Sequence, residues 1–595
     1  MHDLPLITTI ATAFAAAWVL GLITQRIGLS PIVGYLLAGV VIGPKTPGFK
    51  GDVNLANQLA EVGVILLMFG VGLHFHFKDL LAVRRVAIPG AIAQSLVATL
   101  LALLIFHFFG WPMKQGLMLG LAMSVASTVV LMRGLMDRDM LNSPHGHVAV
   151  GWLIVEDIFT VIVLVLAPVL AGEAPAADSA ADAALPAATQ VASVNPWLAI
   201  LWALVKLGAM TFVVLWGGGR VIPWVLVRVA KLRSRELFTL TILVFSIAIA
   251  AATAAIFGSS MALGAFLAGM VVGQSSVSQQ AASDALPMRD AFAVLFFVAV
   301  GMLFDPSFLL AEPLMVLAGL AIVLLAKPAT AILIVALLGY SVRTALTVAI
   351  GLAQIGEFSF ILSQVARQHH LMPNDGHNVL VATAMISIAL NPLMFRSLDG
   401  LERWLKGRPR LWKWLNGRAE RLIAEENAES RAAIAAFDKP FAIIVGYGPV
   451  GRVVDALLRD TGMETIIIDQ NMDTVHSLKA RDRNAIFGDA SRPDILEQAG
   501  VAKAEHLVVT LPHSTNRVPL ALAARQLNPN VEITMRARYL GEREDLEQAG
   551  VKTAVFEEGE AGVALAQHVL RRRGVEQVKI DGLLEALRKL WAIQR

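Results

Sequence analysis

Two adjacent carboxylates, Glu156 and Asp157, stand inside GWLIVEDIFTVIVLVLAP (151–168), a segment that is otherwise almost entirely apolar. A charge at the centre of a membrane helix costs about 2.5–3.5 kcal/mol on insertion scales, so it is kept where it is paired, reaches water or performs chemistry. Neighbours on a helix point about 100° apart, so the two side chains cannot face the same way. We therefore expect one to face a polar pathway and hold a proton or a cation, and the other to be paired or protonated.

Polar side chains also interrupt two other apolar segments at the depth of the membrane. Hydroxyl, amide and carboxyl groups can coordinate an ion there, or they can bind backbone groups where a helix is broken. The freed carbonyls and helix ends of a broken helix form ion sites near the middle of a membrane. The residues concerned are Ser124, Ser127 and Thr128 in SVASTVVLMR, and Gln354 and Glu357 in GLAQIGEFSF.

Three basic residues within or beside apolar segments are candidate counter-charges for these acids. They are Lys206, Lys327 and Arg289, the last of which we expect to open a helix. For Lys206 the alternative is that its long side chain snorkels to the membrane surface. For Lys327 and Arg289 the alternative is a structural ion pair.

The composition is that of a membrane protein followed by a soluble region. Of the 595 residues, 56% are hydrophobic and 16% are charged, whereas soluble domains have roughly 25% charged residues. The net charge of +3 gives no indication of a nucleic-acid partner, and the lack of cysteine excludes disulfides, thiol catalysis and cysteine metal sites. The first ten residues, MHDLPLITTI, lack the features of a cleaved secretory signal, so we expect the first apolar run to be retained.

The apolar runs predict thirteen membrane-spanning segments, since about 20 residues are needed to cross the hydrocarbon core. The second, ninth and tenth are short enough to be tilted or partly re-entrant. The segments lie near residues 5–24, 30–43, 57–75, 87–108, 115–133, 148–170, 197–222, 237–256, 260–273, 289–304, 313–339, 346–366 and 377–395.

Lys and Arg residues in the short loops predict the orientation, because cytoplasmic loops hold the excess of positive charge. The opposite side receives a long insert at 172–196 that contains no Lys or Arg. This distribution predicts an outside amino terminus and a cytoplasmic tail. The inward-facing basic residues are Arg26, Lys78, Arg84, Arg85, Arg133, Arg138, those of RVAKLRSRE (228–236), and Arg343.

Two stretches of the first half resemble two stretches of the second half at a nearly constant offset. IVGYLLAGVVIGP (32–44) resembles MALGAFLAGMVVGQ (261–274), and LMFGVGLHF (67–75) resembles FFVAVGMLF (296–304). Helices rich in Gly and Ala can look alike simply because small residues favour close packing. The constant offset favours duplication, which is typical of transporters built from inverted repeats.

The carboxyl-terminal region divides into a linker and a strand–turn–helix domain. Residues 401–438 are charged, amphipathic and rich in Trp, as expected of an interfacial and then solvated helix. The proposed division is therefore a membrane domain at 1–400, this linker, and a soluble domain at 439–595.

The soluble domain begins with a glycine-rich turn between a strand and a helix. KPFAIIVGYGPVGRVVDALL (439–458) contains Gly446, Gly448 and Gly451 at the spacing that lets backbone approach a phosphate at a helix amino terminus. A second strand follows and ends in Asp469, where a carboxylate that binds ribose belongs. An Asp at this position favours NAD or an adenosine nucleotide over NADP. The alternative is a doubly wound domain that has lost its ligand.

Several membrane motifs together resemble the monovalent cation:proton antiporter family, in the branch of bacterial glutathione-gated potassium-efflux (Kef-type) antiporters. The matching pieces, in order, are SVASTVVLM, GWLIVEDI, ALGAFLAGMVVG, FFVAVGM and QIGEFSF. The resemblance implies the sodium/proton antiporter fold, that is, a polytopic α-helical membrane protein of about 13 helices with inverted repeats, two crossed discontinuous helices and a dimerising domain. It also implies the inner membrane of a bacterium and a periplasmic amino terminus.

The resemblance assigns roles to the polar residues of the membrane domain. The discontinuous helices would be those with Ser127–Thr128 and Gln354–Glu357, and the ion-binding aspartate of the family falls on Asp157. Potassium-efflux relatives have Gln before this Asp and electrogenic sodium relatives a second Asp, but Glu156 matches neither, which leaves the stoichiometry open. The loop at 274–290 has only two acids, which argues against regulation by glutathione.

The soluble domain resembles the TrkA-N domain, also called RCK, which regulates potassium conductance. This resemblance implies a cytoplasmic Rossmann-like α/β domain that binds AMP or NAD(H) as a regulatory ligand. Pro449 stands where relatives often have Arg. The implied nucleotide-binding residues are Gly446, Gly448, Pro449, Val450, Gly451, Asp469, Gln470, Asp489, Ala490 and Thr510.

These features predict a secondary transporter that exchanges potassium, or less favourably sodium, for protons, and no enzyme. A homodimer in membrane lipid is expected, with any auxiliary subunit unknown. A nucleotide-gated channel is the alternative, but no TVGYG-like filter occurs in the apolar segments. A membrane-bound NAD enzyme is disfavoured, since almost no chain follows the nucleotide fold to form a substrate domain.

Overall fold

The protein folds into two compact units in a computed structural model, and each unit is described separately. The first extends to Leu415, and the second comprises Asn142–Pro144 and Asn416–Arg595. The structure describes residues 5–591 apart from 48–49, 74–76, 139, 142, 172–204, 206–207, 258–260, 438, 512–516 and 538–539. The insert at 172–196 and the candidate counter-charge Lys206 therefore lie outside the described residues.

The first unit is helical throughout, as its long apolar runs require. Its first half contains α1 (Pro5–Arg26), α2 (Pro31–Ile42), α3 (Val53–Leu73), α4 (Phe77–Phe108), α5 (Met113–Ser124), α6 (Thr128–Met136) and α7 (Pro144–Ala171). Its second half contains a π-helical turn (Val213–Gly218), α8 (Gly219–Lys231), α9 (Arg235–Phe257), α10 (Met261–Gly273), α11 (Ser278–Met302), α12 (Phe308–Ala311), α13 (Pro313–Ala321), a second π-helical turn (Ile322–Ala326), α14 (Lys327–Leu337), α15 (Val342–Gly351), α16 (Glu357–Gln368) and α17 (Asn374–Lys406).

The predicted polytopic α-helical architecture is confirmed. Within the described residues, ten helices are long and apolar enough to cross a membrane. Three shorter apolar helices accompany them, at Pro31–Ile42, Met261–Gly273 and Val342–Gly351. The second and ninth predicted segments are thus short helices.

Three boundary predictions are wrong because polar turns continue several helices beyond their apolar runs. The tenth segment is a long helix that begins at Ser278, so most of the predicted loop at 274–290 is helical and Arg289 lies inside α11 instead of opening it. Part of the basic loop expected at 228–236 is likewise the end of α8. The last span, expected to end near residue 395, continues to Lys406.

The helices that contain the repeated motifs pack reciprocally around glycines. The motif of α2 recurs in α10 and that of α3 recurs in α11, while α2 contacts α11 and α3 contacts α10. A Cβ added to Gly39 in α2 would lie 2.0 Å from the carbonyl oxygen of Val298 in α11. A Cβ added to Gly269 in α10 would lie 2.1 Å from the carbonyl oxygen of Phe69 in α3. This exchange of partners is what two duplicated halves related by an approximate two-fold axis produce.

An ion-pair network ties the ends of α6 and α15 to α17. Asp399 on α17 accepts from Arg138, just after α6, at 3.1 Å and from Arg343 on α15 at 2.5 Å. Arg343 also donates to Glu402, one turn further along α17, at 2.8 Å. The two chain segments that contain the interrupted helices are therefore anchored to one long helix.

The second unit contains a six-stranded parallel sheet in the order β3–β2–β1–β4–β5–β6, with helices between the strands. The strand order reverses direction between β1 and β4, and doubly wound sheets bind ligands at this switch point. After the linker helix α18 (Pro409–Ala435), the elements are β1 (Phe441–Val445), α19 (Pro449–Asp460), β2 (Glu464–Asp469), α20 (Met472–Lys479), β3 (Ala485–Phe487), α21 (Pro493–Gln498), β4 (His506–Val509), α22 (Val518–Leu527), β5 (Glu532–Ala537), α23 (Arg543–Gln548), β6 (Thr553–Phe556), α24 (Glu557–Arg572) and α25 (Gln577–Trp591). The predicted Rossmann-like domain is confirmed.

The linker helix covers the edge of this sheet that is formed by β3. The amide of Asn427 donates to the carbonyl oxygen of Phe487 at 2.9 Å and accepts from its N–H at 2.8 Å, so it pairs with edge strand β3 as a neighbouring strand would. Glu426 beside it forms an ion pair with Lys479 of α20 at 2.7 Å.

We predict that Gly39→Ala lowers the thermal unfolding temperature of the detergent-solubilised protein. The added methyl group has no space between α2 and α11, and overpacking of this kind costs about 1–3 kcal/mol. Gly219→Ala is the matched control, because no atom lies within 4 Å of a Cβ at that position. Equal unfolding temperatures for the two variants in a thermal-shift assay would contradict the close packing of α2 on α11.

Candidate functional site

Two interrupted helices cross in the first unit, as the sequence predicts. α5 ends at Ser124 and α6 begins at Thr128, while α15 ends at Gly351 and α16 begins at Glu357. The side-chain amide of Gln354 joins the two breaks: its Oε1 accepts from Ser127 N at 2.9 Å and its Nε2 donates to Ser127 O at 3.1 Å. The amide therefore supplies a partner for the Ser127 N–H, which the break in the first helix leaves free, and adds a second hydrogen bond to the Ser127 carbonyl oxygen, which already accepts from Leu131 N.

The two interrupted segments also contact each other through their backbones at the crossing. The N–H of Gly356 donates to the carbonyl oxygen of Val125 at 3.1 Å. A Cβ added to Gly356 would lie 2.4 Å from the carbonyl oxygen of Ala126, so only glycine permits this approach.

Glu156 on α7 is fully buried and satisfied by hydrogen bonds. Its Oε1 accepts from Gln94 Nε2 of α4 at 2.8 Å, and its Oε2 accepts from the N–H of Ala126 in the first break at 3.0 Å. Of the two adjacent carboxylates, Glu156 is thus the one that secures the crossing.

Lys327 places a buried positive charge near the carboxylate of Glu156. Only 1% of this residue is exposed, its Nζ donates to the carbonyl oxygen of Gln354 at 3.5 Å, and it lies within electrostatic range of Glu156. The two groups form no ion pair within 4 Å among the described residues, so the ammonium group acts on the carboxylate over a longer distance, which still lowers the penalty of burying either charge.

Asp157, the next residue, has an oxygen without a protein partner. Its Oδ2 accepts a long hydrogen bond from Thr128 Oγ1 at 3.4 Å, whereas its buried Oδ1 has no hydrogen bond in the described part of the chain. Glu357 lies within electrostatic range of Asp157, and its buried Oε2 also lacks a partner. Two carboxylate oxygens are therefore available for a proton or for a small cation, which prefers oxygen ligands.

The structure brings most of the predicted membrane-site residues to this crossing. The residues that meet there are Glu156, Asp157, Ser127, Thr128, Gln354, Glu357 and Lys327. Two others make their hydrogen bonds outside it. Ser124 donates to the carbonyl oxygen of Leu121 within α5 at 2.8 Å. Arg289 binds the neighbouring Asp290 at 2.7–2.9 Å, but it also lies within electrostatic range of Glu357, as a counter-charge would.

Gln94 and the backbone of Ala126 are the parts of the site that the sequence analysis missed. Gln94 is a lone amide in the apolar run of α4, so the reasoning applied to Gln354 in its own apolar segment would have found it. The N–H of Ala126 leaves no signal in the sequence, because every residue except proline has one.

The glycine-rich turn of the second unit has the geometry expected of a phosphate site. Gly446 adopts a φ of +90°, and a Cβ added to Gly451 would lie 2.1 Å from the Gly446 carbonyl oxygen. Gly448 faces open space, with no atom within 4 Å of a Cβ at that position. The turn leads directly into α19, and the free N–H groups in the first turn of a helix attract an anion.

Two other predicted nucleotide-binding residues, Thr510 and Asp469, form hydrogen bonds with this turn. Thr510 donates to the Gly446 carbonyl oxygen at 2.8 Å, and Asp469 accepts from Tyr447 N at 2.7 Å and Asn471 N at 2.8 Å. Each Asp469 oxygen keeps a lone pair for a ribose hydroxyl. Pro449 is the first residue of α19 and Val450 the second, Gln470 directly follows β2, and Asp489 and Ala490 follow β3.

Arg452 is a nucleotide-site candidate that the sequence analysis missed. It lies one turn into α19, is exposed, and donates through Nε to the carbonyl oxygen of Tyr447 at 3.3 Å. Its guanidinium group is thus held beside the glycine turn, which is a position from which it can meet a phosphate. Arg452 directly follows Gly451, the last glycine of the motif. Because Pro449 replaces the more usual Arg within the motif, this nearby arginine is the signal that would have identified the candidate.

A buried acid beneath the turn fixes Tyr447. Burial alone would raise the pKa of Asp455, but hydrogen bonds from Arg483, Thr465 and Tyr447 hold that pKa below its ordinary value. The Arg483 Nη2 to Asp455 Oδ1 distance is 2.6 Å, and Tyr447 donates its hydroxyl to Oδ2 at 3.0 Å. The ionised Asp455 therefore holds the residue between Gly446 and Gly448 in place.

We predict that Gln94→Met destabilises the first unit, because it leaves Glu156 Oε1 buried without a donor. A buried acceptor left unpaired costs about 1–3 kcal/mol, and more when it is charged. Ser95→Ala is the control on the same helix, since the buried Ser95 hydroxyl has no partner among the described residues. If Gln94→Met unfolds at the same temperature as Ser95→Ala in a thermal-shift assay, Glu156 does not depend on Gln94.

Comparison with known families covers both units. Residues 10–398 match the family described as "Sodium/hydrogen exchanger, transmembrane", and residues 442–557 match the TrkA-N domain.

Two named relatives align with nearly the whole chain. The protein is 43% identical over 560 residues to the "Putative cation/proton antiporter YbaL" of Escherichia coli (strain K12), covering 94% of this chain and 96% of that one. It is 28% identical over 564 residues to the "Putative K(+) efflux antiporter KefB" of Alkalimonas amylolytica, covering 95% and 81%.

A solved structure matches the second unit. It is the TrkA-N domain of the inner membrane protein ybaL from Escherichia coli, at 27% identity and a TM-score of 0.21, covering 22% of this chain and 98% of that one. By its family matches and its full-length relatives, the protein belongs to the sodium/hydrogen exchanger family of cation/proton antiporters and has a carboxyl-terminal TrkA-N domain.

Proposed function

We propose that this antiporter exports potassium from a bacterial cell in exchange for protons, and that an adenine nucleotide on its TrkA-N domain controls the exchange. The relatives support the choice of ion, because one of them is named a potassium-efflux antiporter. The proposal includes location in the inner membrane as a homodimer, with the amino terminus in the periplasm and the TrkA-N domain in the cytoplasm.

The unpartnered Asp157 Oδ1 at the crossing of the two interrupted helices is the observation on which the proposal rests. A carboxylate buried in an apolar interior is stable when it holds a proton, or when a bound cation balances its charge. Because both species bind the same oxygens, a site that faces each side of the membrane in turn exchanges one for the other.

The neighbouring residues have separate roles in this mechanism. Thr128 donates to Asp157 Oδ2 and directs Oδ1 toward the ion. Glu357 offers a second unpartnered oxygen from the other broken helix. Gln354 and Glu156 hold the crossing itself, so they position the site without contributing a free ligand.

We predict that Asp157→Asn abolishes cation-driven proton movement in proteoliposomes that contain a pH-sensitive dye. Asparagine keeps the shape of the side chain, but it cannot alternate between a proton and a cation. The wild type should respond to added potassium more strongly than to added sodium.

Asp137→Asn is the matched control, since Asp137 is an exposed acid at the end of α6. It should exchange ions at the rate of the wild type. Exchange that persists in a folded Asp157→Asn variant would contradict the site, and an equal response to sodium would contradict the choice of potassium.

Regulation by a nucleotide is supported by the turn at Gly446, the open space at Gly448 and the acid at the end of β2. A pyrophosphate or phosphate would lie at the start of α19, and the ribose would lie against Asp469. The sensor function requires no chemistry on the nucleotide, only a difference in its affinity for two states of the protein.

We predict that AMP or NADH raises the unfolding temperature of the TrkA-N unit by several degrees when present at about 100 times its dissociation constant, which corresponds to roughly 2.7 kcal/mol. Asp469→Asn should reduce this shift, because it removes the charged acceptor for the ribose. Asp460→Asn, which changes an exposed acid at the end of α19, should retain it. The absence of a shift with either nucleotide would contradict nucleotide binding and leave the antiport proposal untouched.

A further inference from the structure

A surface cavity of about 360 Å³ lies where the ends of three helices of the first unit meet. It is formed by the turn between α8 and α9 and by the amino-terminal part of α11, so it is far in sequence from the residues of the ion site. Its polar lining consists of Arg233, Ser234, Arg235, Gln280, Ser283 and Asp284.

The single acid in this lining is neutralised by its neighbours. Asp284 has a side chain that is only 4% exposed, and its Oδ1 accepts from Arg235 Nε at 3.0 Å. Its Oδ2 accepts from Thr239 Oγ1 at 3.3 Å. Because these contacts compensate the carboxylate, it does not repel an anion in the cavity.

Arg233 provides a positive charge that the protein itself does not use. It is exposed, and its guanidinium group has no hydrogen bond or ion pair among the residues that the structure describes. Its backbone has a φ of 54°, a left-handed conformation that favours glycine. The chain thus keeps an arginine in a turn where glycine would fit with less strain.

Two exposed Trp–Arg pairs lie on the outer face before this turn, and the pair nearer to it, Trp224 with Arg228, indicates the level of the membrane surface. Arg220 stacks on the exposed Trp216 at 4.4 Å, and Arg228 stacks on the exposed Trp224 at 4.3 Å. Trp at a lipid-facing helix surface is typical of the interface between hydrocarbon and headgroups. Ala230, where the cavity begins, lies six positions after Trp224 along the helix, which is about 9 Å at 1.5 Å per residue.

From this geometry we propose that the cavity binds the headgroup of an anionic phospholipid, with the phosphodiester on Arg233. The guanidinium group can donate two parallel hydrogen bonds to phosphate oxygens. Ser283 and Gln280 offer hydroxyl and amide groups for the hydroxyls of a headgroup such as glycerol. The depth set by Trp224 selects a lipid over a soluble phosphate, because the acyl chains of a bound lipid would extend along the apolar outer surface of α8.

The test uses the full-length protein, freed of lipid in a mild detergent. Phosphatidylglycerol, phosphatidylcholine, inorganic phosphate and glycerol 3-phosphate are added separately, and binding is measured by native mass spectrometry and by thermal shift. Phosphatidylglycerol should bind and raise the unfolding temperature, whereas the other three should have little effect.

Two variants distinguish loss of binding from loss of folding. Arg233→Gln should weaken phosphatidylglycerol binding about tenfold, as expected for the loss of a charged hydrogen bond. Arg233→Gly should lose the same binding while its unfolding temperature without lipid stays equal or rises, since glycine relieves the left-handed backbone. Arg481→Gln, which removes an exposed arginine from the TrkA-N unit, is the control and should bind as the wild type does.

Three results would overturn the proposal. Phosphatidylcholine that binds as tightly as phosphatidylglycerol would exclude recognition of the anion. Phosphate or glycerol 3-phosphate that stabilises as strongly would identify a soluble ligand. Unchanged phosphatidylglycerol binding in both Arg233 variants would place the lipid elsewhere.

Discussion

The constraint on which the membrane unit depends is that backbone groups freed in an apolar interior must find partners inside the protein. Two breaks in two helices release such groups at one place, and each break supplies partners to the other. Gly356 N–H binds the Val125 carbonyl, and the Gln354 amide closes on both backbone groups of Ser127. An isolated break would leave several of these groups unpaired at a cost of about 1–3 kcal/mol each. The crossing is therefore stable only as a pair, and the pairing sets the spacing of every side chain around it.

This constraint explains why two adjacent acids have different surroundings. Glu156 is held by the N–H of Ala126, which the first break sets free, and by Gln94, so its charge belongs to the scaffold together with that of Lys327. Asp157 is turned by about 100° around the same helix and reaches the side of the crossing where Thr128 and Glu357 lie. One helix thus presents a fixed carboxylate and an available carboxylate within a single residue step.

The sequence shows these acids clearly, because a carboxylate in an apolar run stands out by its cost alone. It also shows the breaks, from glycines next to polar residues, and the nucleotide turn, from Gly446, Gly448 and Gly451 between a strand and a helix. It does not show which acid is paired, since that depends on Gln94, 62 residues before Glu156, and on a backbone N–H. The sequence also does not show that α8, α11 and α17 extend beyond their apolar runs. A hydropathy pattern indicates which residues are apolar enough to lie in lipid, but it does not indicate where the hydrogen-bonded turns of a helix end.

The same arrangement limits how charge can be balanced in the proposed exchange. Glu156 and Lys327 compensate each other, so the available oxygens are Asp157 Oδ1 and Glu357 Oε2 on two different helices. A monovalent cation between them balances one negative charge only. Since a second uncompensated charge in this interior would be costly, the second carboxyl must be either protonated or balanced by Arg289, which lies within electrostatic range of Glu357. When the second carboxyl is protonated, the cation-bound site and the fully protonated site have the same net charge, and they differ only in which species occupies one carboxylate.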